Sequence, residues 1–185
     1  MKSTGWLSPC ASAAALLFFS CSPALTHATK SAPSKSDPIS NQVHASINQY
    51  RCSKGKQPLT RHSGLDQLAA QHSQFLLLNS GNFSIHGKKV SHYGFENRVL
   101  AARRMHSMDN VGENVAAGRV GTTQAGDGLL RLWQNSNNHH KQLLEAWTYT
   151  GIGSVTSLDG TVYCTQIFAT QNHSRLQSRD YFNQR

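Results

Sequence analysis

Three residues of this chain have the types and settings of a polar site: His92 in SHYGF, Glu113 in VGENVAAG and His139 in LWQNSNNHHKQLL. Glu113 is one of only three glutamates in the sequence, set between Gly112 and Asn114 in a run of small residues. A glutamate kept for solubility is usually one of many on a solvated face; this one stands beside a glycine, where backbone can turn sharply or pass close to another segment. Two imidazoles and a carboxylate are the minimum protein donor set for a divalent transition metal such as zinc, whose fourth position would stay open to water. Alternatively, Glu113 is a candidate catalytic residue, the general base acting on a metal-bound water. It cannot readily do both. A third reading has the three side chains hydrogen-bonding one another and fixing their loops without turnover. No HExxH or paired CxxC fixes a metal geometry, and neither Ser91 nor Ser136 lies in a nucleophile-elbow motif.

The remaining histidines are less suggestive. His44, His62, His106 and His173 stand in polar or boundary settings, His86 lies in the polar IHGKK loop, and His27 precedes an expected cleavage point. His72 falls on the apolar face of a long helix, where a satisfied core histidine is the ordinary outcome.

The elements that must position these groups follow from periodicity. Val43, Ile47 and Tyr50 share one helical face, and the pattern stops near Gly55 and Pro58, which predicts a first helix carrying Cys52 near its end. Ser63 is a suitable N-cap for a longer helix in which Leu65, Leu68, Ala69, His72, Phe75 and Leu76 recur, up to Asn79 and Gly81. Phe95, Val99, Ala102 and Met105 predict a third helix, with His92 just before it. Leu129, Leu130, Leu132 and Trp133 predict a fourth that ends at Asn135 to Asn138, so His139 is expected in a loop. The last third changes character: Thr148 to Val155 and Thr161 to Phe168 read as strands joined by an SLDG turn. Helices first and a terminal hairpin last make an α+β domain.

Composition bounds the setting. Residues 1–28 read as an export signal, with Lys2, the apolar run Ala11 to Ser20 and a small-residue site at Thr26-His27-Ala28, so the protein is expected to be secreted or periplasmic. Lipid anchoring through Cys21 is the alternative, which the bulky Phe18 and Phe19 fit poorly. The apolar run is too short for a bilayer span, and no integral membrane protein is expected. Residues 29–40 form a polar linker, 41–170 the folded domain and 171–185 a basic polar tail whose Leu176, Tyr181 and Phe182 could dock. Cys52 and Cys164 are the two cysteines left after cleavage, and in an oxidising compartment they are expected to form a disulfide. The net charge of +9 favours anionic partners. The bases are scattered, without a stripe of interleaved aromatics, so nucleic acid is not expected.

The ordered set INQYR (Ile47 to Arg51), LAAQHSQF (Leu68 to Phe75), SHYGFENR (Ser91 to Arg98), VGENVAAG (Val111 to Gly118), LWQNSNNH (Leu132 to His139), GIGSV and CTQIF resembles the bacterial SCP-like branch of the CAP superfamily. That superfamily includes the cysteine-rich secretory, antigen 5 and pathogenesis-related proteins. The resemblance implies a three-layer α-β-α sandwich with a small central sheet. It also implies a cleft of two histidines and acidic residues that binds a divalent metal in some members. Carried over by motif, His92, Glu113 and His139 are the cleft residues, and the interval from Trp133 favours His139 over His140. Ser136 stands where animal and plant relatives have a second acidic residue, and Asn138 where a small residue is usual. Losing a carboxylate lowers the negative charge offered to a cation.

The family resemblance leaves the ligand open, since its members include lipid binders, antimicrobial proteins and channel toxins. The first expectation is a secreted, monomeric binding module for a lipid, an envelope glycan, or a host or envelope protein. Alternatives are a metal-assisted hydrolase using the same cleft, and a structural protein acting through its basic surface. Within VGENVAAG, the small residues are expected to let the segment pass closely beneath the sheet.

Overall fold

The computed structural model describes residues 37–80 and 90–171. The expected signal, most of the linker, His86, His173 and all of the tail but Gln171 lie outside the described residues. The order of elements is α1 (Pro38–Ser53), β1 (Thr60–Arg61), α2 (Ser63–Leu78), α3 (Phe95–His106), β2 (Met108–Gly118), α4 (Ala125–Gln134), α5 (Asn137–Leu144), β3 (Tyr149–Thr156) and β4 (Val162–Gln171). The strands form one sheet in the order β1-β3-β4-β2, parallel only between β1 and β3. Helices cover both faces, giving the α-β-α sandwich that the sequence implies.

One face carries α1, α4 and α5. Ile39, Val43 and Ile47, four residues apart on α1, pack with Leu129 and Trp133 of α4 and Leu143 of α5 against Ile152, Cys164 and Phe168 of the sheet. α1 starts inside the stretch read as linker because Asp37 caps it, accepting from the Ile39 and Ser40 amides, and Pro38 fills the first turn, where no amide is missed. The opposite face carries α2 and α3. Leu65, Ala69 and Ala102 pack on Met108, Ile167 and Ala169, and Leu76 on Val115 and Tyr163.

The GIGSV segment explains how closely α2 approaches. A Cβ on Gly151 would lie 2.1 Å from the Leu65 carbonyl carbon, and one on Gly153 would lie 2.2 Å from the Ala70 amide nitrogen. The two glycines therefore let helix backbone rest directly on strand backbone. Asp66 of α2 then accepts from the Ile152 amide at 2.8 Å and the Arg61 guanidinium at 2.8 Å, tying the start of the helix to the sheet where short β1 ends. The cap of α2 is His62 rather than Ser63: its ring nitrogen accepts from the Leu65 amide at 3.4 Å, and Ser63 is the first helical residue.

Three expectations need correction. VGENVAAG does not run beneath the sheet; it is part of β2, an edge strand paired with β4, with Glu113 opposite Ile167. His139 is not in a loop but in α5, a short helix whose polar sequence buries only Leu143. The Cys52–Cys164 disulfide is not formed: Cys52 is exposed on the solvent side of α1, while Cys164 is fully buried in β4. Bridging them would require turning α1 against the core it packs on, since a disulfide needs both Cβ atoms within about 4.5 Å. Burial pushes the Cys164 thiol far above its ordinary pKa, so it stays protonated and inert. Maleimide labelling followed by peptide mapping is expected to modify Cys52 in the native protein and Cys164 only after denaturation. Equal protection of both, relieved by a reductant, would restore the disulfide.

Candidate functional site

Glu113 leaves β2 on the α2/α3 side, with its side chain only 1% exposed. Arg98, in the second turn of α3, donates from Nε to Oε2 at 2.6 Å and from Nη2 to Oε1 at 2.8 Å, a bidentate clamp. His92 donates from Nδ1 to Oε1 at 2.9 Å. The same guanidinium donates from Nη1 to the Tyr93 carbonyl at 3.0 Å, so one side chain fixes both the carboxylate and the turn that presents His92. Gly94, at φ 74°, makes that turn in a conformation other residues avoid. Underneath, buried His72 of α2 has Nε2 4.0 Å from Glu113 Oε1 and 2.8 Å from the Ser91 carbonyl.

His139 arrives from the other helical layer. β2 is the last strand of the sheet, and α5 packs beside it; the Asn114 side chain donates from Nδ2 to the His139 carbonyl at 3.2 Å and holds the start of α5 there. The His139 and His92 rings meet with centroids 6.0 Å apart. His140 turns away, with Nε2 2.6 Å from the Tyr50 hydroxyl of α1. The structure thus brings His92, Glu113 and His139 together, and adds two residues that sequence reading did not assign to the site. Arg98 closes the SHYGFENR motif, but an arginine in an early helical turn reads as a solvated charge. His72 was legible as buried, though not as a neighbour of Glu113.

The electrostatics follow from burial. Desolvation raises the Glu113 pKa, but the hydrogen bonds from His92 and Arg98 outweigh it, leaving the carboxyl below its ordinary range and ionised. Burial, then the nearby His92, lowers His139. Burial lowers His72 against the attraction of Glu113. The site is therefore an ion pair beneath two imidazoles, of which His139 is neutral near pH 7. With Nδ1 committed to Glu113, Nε2 is the ring nitrogen of His92 outside that bond.

That arrangement does not fit the three-ligand metal centre expected of His92, His139 and Glu113. Both carboxylate oxygens are committed to Arg98 and His92, and the guanidinium adds a positive charge beside any cation. Among the described residues no group of three or more His, Cys, Asp or Glu side chains is placed to hold a metal ion. The same bonds hold the Glu113 pKa down, which makes it a weak general base.

A sandwich of this topology with a histidine-flanked acidic cleft defines a class, and comparison with known proteins names it. The sequence pattern of the cysteine-rich secretory protein family, CAP, matches residues 44–168, and the chain belongs to this family. Among solved structures it is similar to an outer surface protein of Borrelia burgdorferi, with a TM-score of 0.56 and 15% identity over 72% of this chain and 93% of that one. It is also similar to a cysteine-rich secretory protein of Staphylococcus aureus, with a TM-score of 0.51 and 20% identity over 74% of this chain and 40% of that one. At such identities the likeness is one of fold. No curated protein sequence matches the chain significantly.

Two predictions follow from the buried pair. Glu113→Leu alone leaves the Arg98 guanidinium, only 11% exposed, without its counter-charge, and is expected to cost about 3–5 kcal/mol in urea denaturation. The double variant Glu113→Leu/Arg98→Met should recover most of that loss; if it falls further than either single change, the two residues are not each other's principal partner. On acidification, the unfolded chain protonates His72 and His139 near their ordinary value of 6.5, before the fold does. Stability should therefore decline from about pH 6.5 downward, and again below about pH 4.5 as the unfolded chain takes up the Glu113 proton first. Melting curves across this range check it, and His72→Gln should flatten the upper step.

Proposed function

We propose that this protein is an exported binding module, with the cleft between His92 and His139 as part of its recognition face. The observation that carries the reading is the commitment of Glu113. A carboxylate held by a bidentate guanidinium and an imidazole, with its pKa lowered, favours a role in organising the surface over one as a base. The His139 imidazole is held neutral by burial, and among the described residues no activated nucleophile accompanies the two histidines. The two similar structures, an outer surface protein and a cysteine-rich secretory protein, are in keeping with a protein that works outside the cell. Among the described residues no helix is long and apolar enough to cross a membrane.

The test sets binding against turnover. Wild type and Glu113→Gln are incubated with isolated envelope glycan, with phospholipid vesicles, and with chromogenic ester, phosphoester and glycoside substrates, with and without zinc. The expected result is saturable binding to glycan or vesicles and no hydrolysis above buffer. Zinc-dependent hydrolysis abolished by Glu113→Gln or by His92→Ala/His139→Ala would overturn the reading in favour of a hydrolase.

A further inference from the structure

The groove between α2 and α3 holds a cavity of about 370 Å³, inside the range of roughly 300–1,000 Å³ common for small-molecule sites. Along α2 its wall is Leu68, Gln71 and Phe75; α3 supplies Asn97 and Ala101, and Tyr93 stands at its end. Among the described residues three rings form a ladder along this wall. His72 lies on Phe75 at 5.8 Å and 14° between planes, and Phe75 on Tyr93 at 5.5 Å and 16°. The ladder starts from a buried imidazole and ends on a tyrosine that is 72% exposed. Exposing the last ring of an aligned stack presents a flat, weakly negative face to whatever enters.

The polar groups around that face are neutral in effect. Arg98, the one fixed cation of the lining among the described residues, spends its guanidinium on Glu113 and on the Tyr93 carbonyl. The side-chain amides of Gln71 and Asn97 are exposed and make no hydrogen bond among the described residues. Each offers two donors and one acceptor oxygen. Among the described residues an anionic ligand would find no unpaired cation in the lining, and a lipid tail would desolvate both amides without replacing their hydrogen bonds with water. A ligand with one apolar flat side and amide or hydroxyl groups at its edge satisfies both features.

We infer that this cavity binds a pyranose ring of a neutral, N-acetylated glycan, with the C–H face of the sugar on Tyr93 and its acetamido group paired with Gln71 and Asn97. The assignment rests on the binding-module reading and names its ligand class. The cavity shares Arg98 and His72 with the Glu113 cluster, so the ion pair that fixes His92 also fixes the far wall of the sugar site. Glu113 is in this sense a positioning residue for the cavity.

The experiment is an NMR titration of the ¹⁵N-labelled protein with N,N′,N″-triacetylchitotriose, with cellotriose (the same linkage without acetamido groups), and with p-cresol. The acetylated trisaccharide should shift amides of residues 93–101 and bind about tenfold or more tighter than cellotriose. Tyr93→Ala should weaken it by about tenfold or more, as for an aromatic anchor, while Tyr93→Phe keeps the affinity. Gln71→Ala/Asn97→Ala, both at exposed positions that the fold tolerates, should erase the preference for the acetylated sugar. Unchanged affinity in Tyr93→Ala, shifts confined to other surfaces, or binding of p-cresol alone would each overturn the assignment. If the sugar fails while vesicles bind, the glycan is wrong and the binding module stands. Hydrolysis of an ester or phosphoester lost in Glu113→Gln, with sugar binding intact, would reject the module and leave the cavity's ligand standing.

Discussion

A carboxylate buried at the edge of a sheet is unfavourable unless its charge is met, and the site around Glu113 is organised by how that is done. Isolated burial of an ionised carboxyl costs several kcal/mol even after relaxation. Arg98 supplies two charge-assisted hydrogen bonds in the planar geometry that matches a carboxylate, and His92 supplies a third. The residues that do this come from β2, α3 and the turn preceding α3, and His72 of α2 lies under them. One ion pair thereby ties an edge strand to the helical layer above it. The site's chemistry is narrowed by the same bonds, because lone pairs spent on Arg98 are not available to a proton or a metal.

The second constraint is steric. α2 rests on β3 at Gly151 and Gly153, and the Leu65 and Ala70 backbone occupies the space a side chain would take. This close seating brings the face carrying His72 and Phe75 towards the sheet edge where Glu113 emerges. On the same side of the sheet, α3 has Ala102 as its only fully buried residue. A helix so lightly covered leaves a groove, and the groove becomes the cavity beside Tyr93.

Much of this was legible in the sequence where a single period governs the outcome. α1, α2 and α3 show in the recurrence of Val43, Ile47, Leu65, Ala69, Phe95 and Ala102, and the terminal hairpin shows in two β-rich runs around SLDG. β2 did not show, because MDNVGENVAAG buries both its faces and has no alternation to read. α5 did not show because eight mostly polar residues form it, and its place is set by the Asn114 bond rather than by propensity. Arg98 was invisible as a partner because its pairing is a tertiary distance, not a pattern along α3. The cysteine pair misled for a related reason: an even count says nothing about which way two side chains point, and Cys52 points to water while Cys164 points into the core.

The neighbouring histidines of α5 have a mechanical consequence. His139 faces His92 across the cleft, and His140, one residue and about 100° further round the helix, is hydrogen-bonded to Tyr50 of α1. α5 therefore works as an axle pinned at two points on its circumference. Rolling it to widen the gap between the imidazoles would pull His140 off Tyr50, so the width of the cleft is gauged by a hydroxyl on α1, its neighbour in the same helical layer.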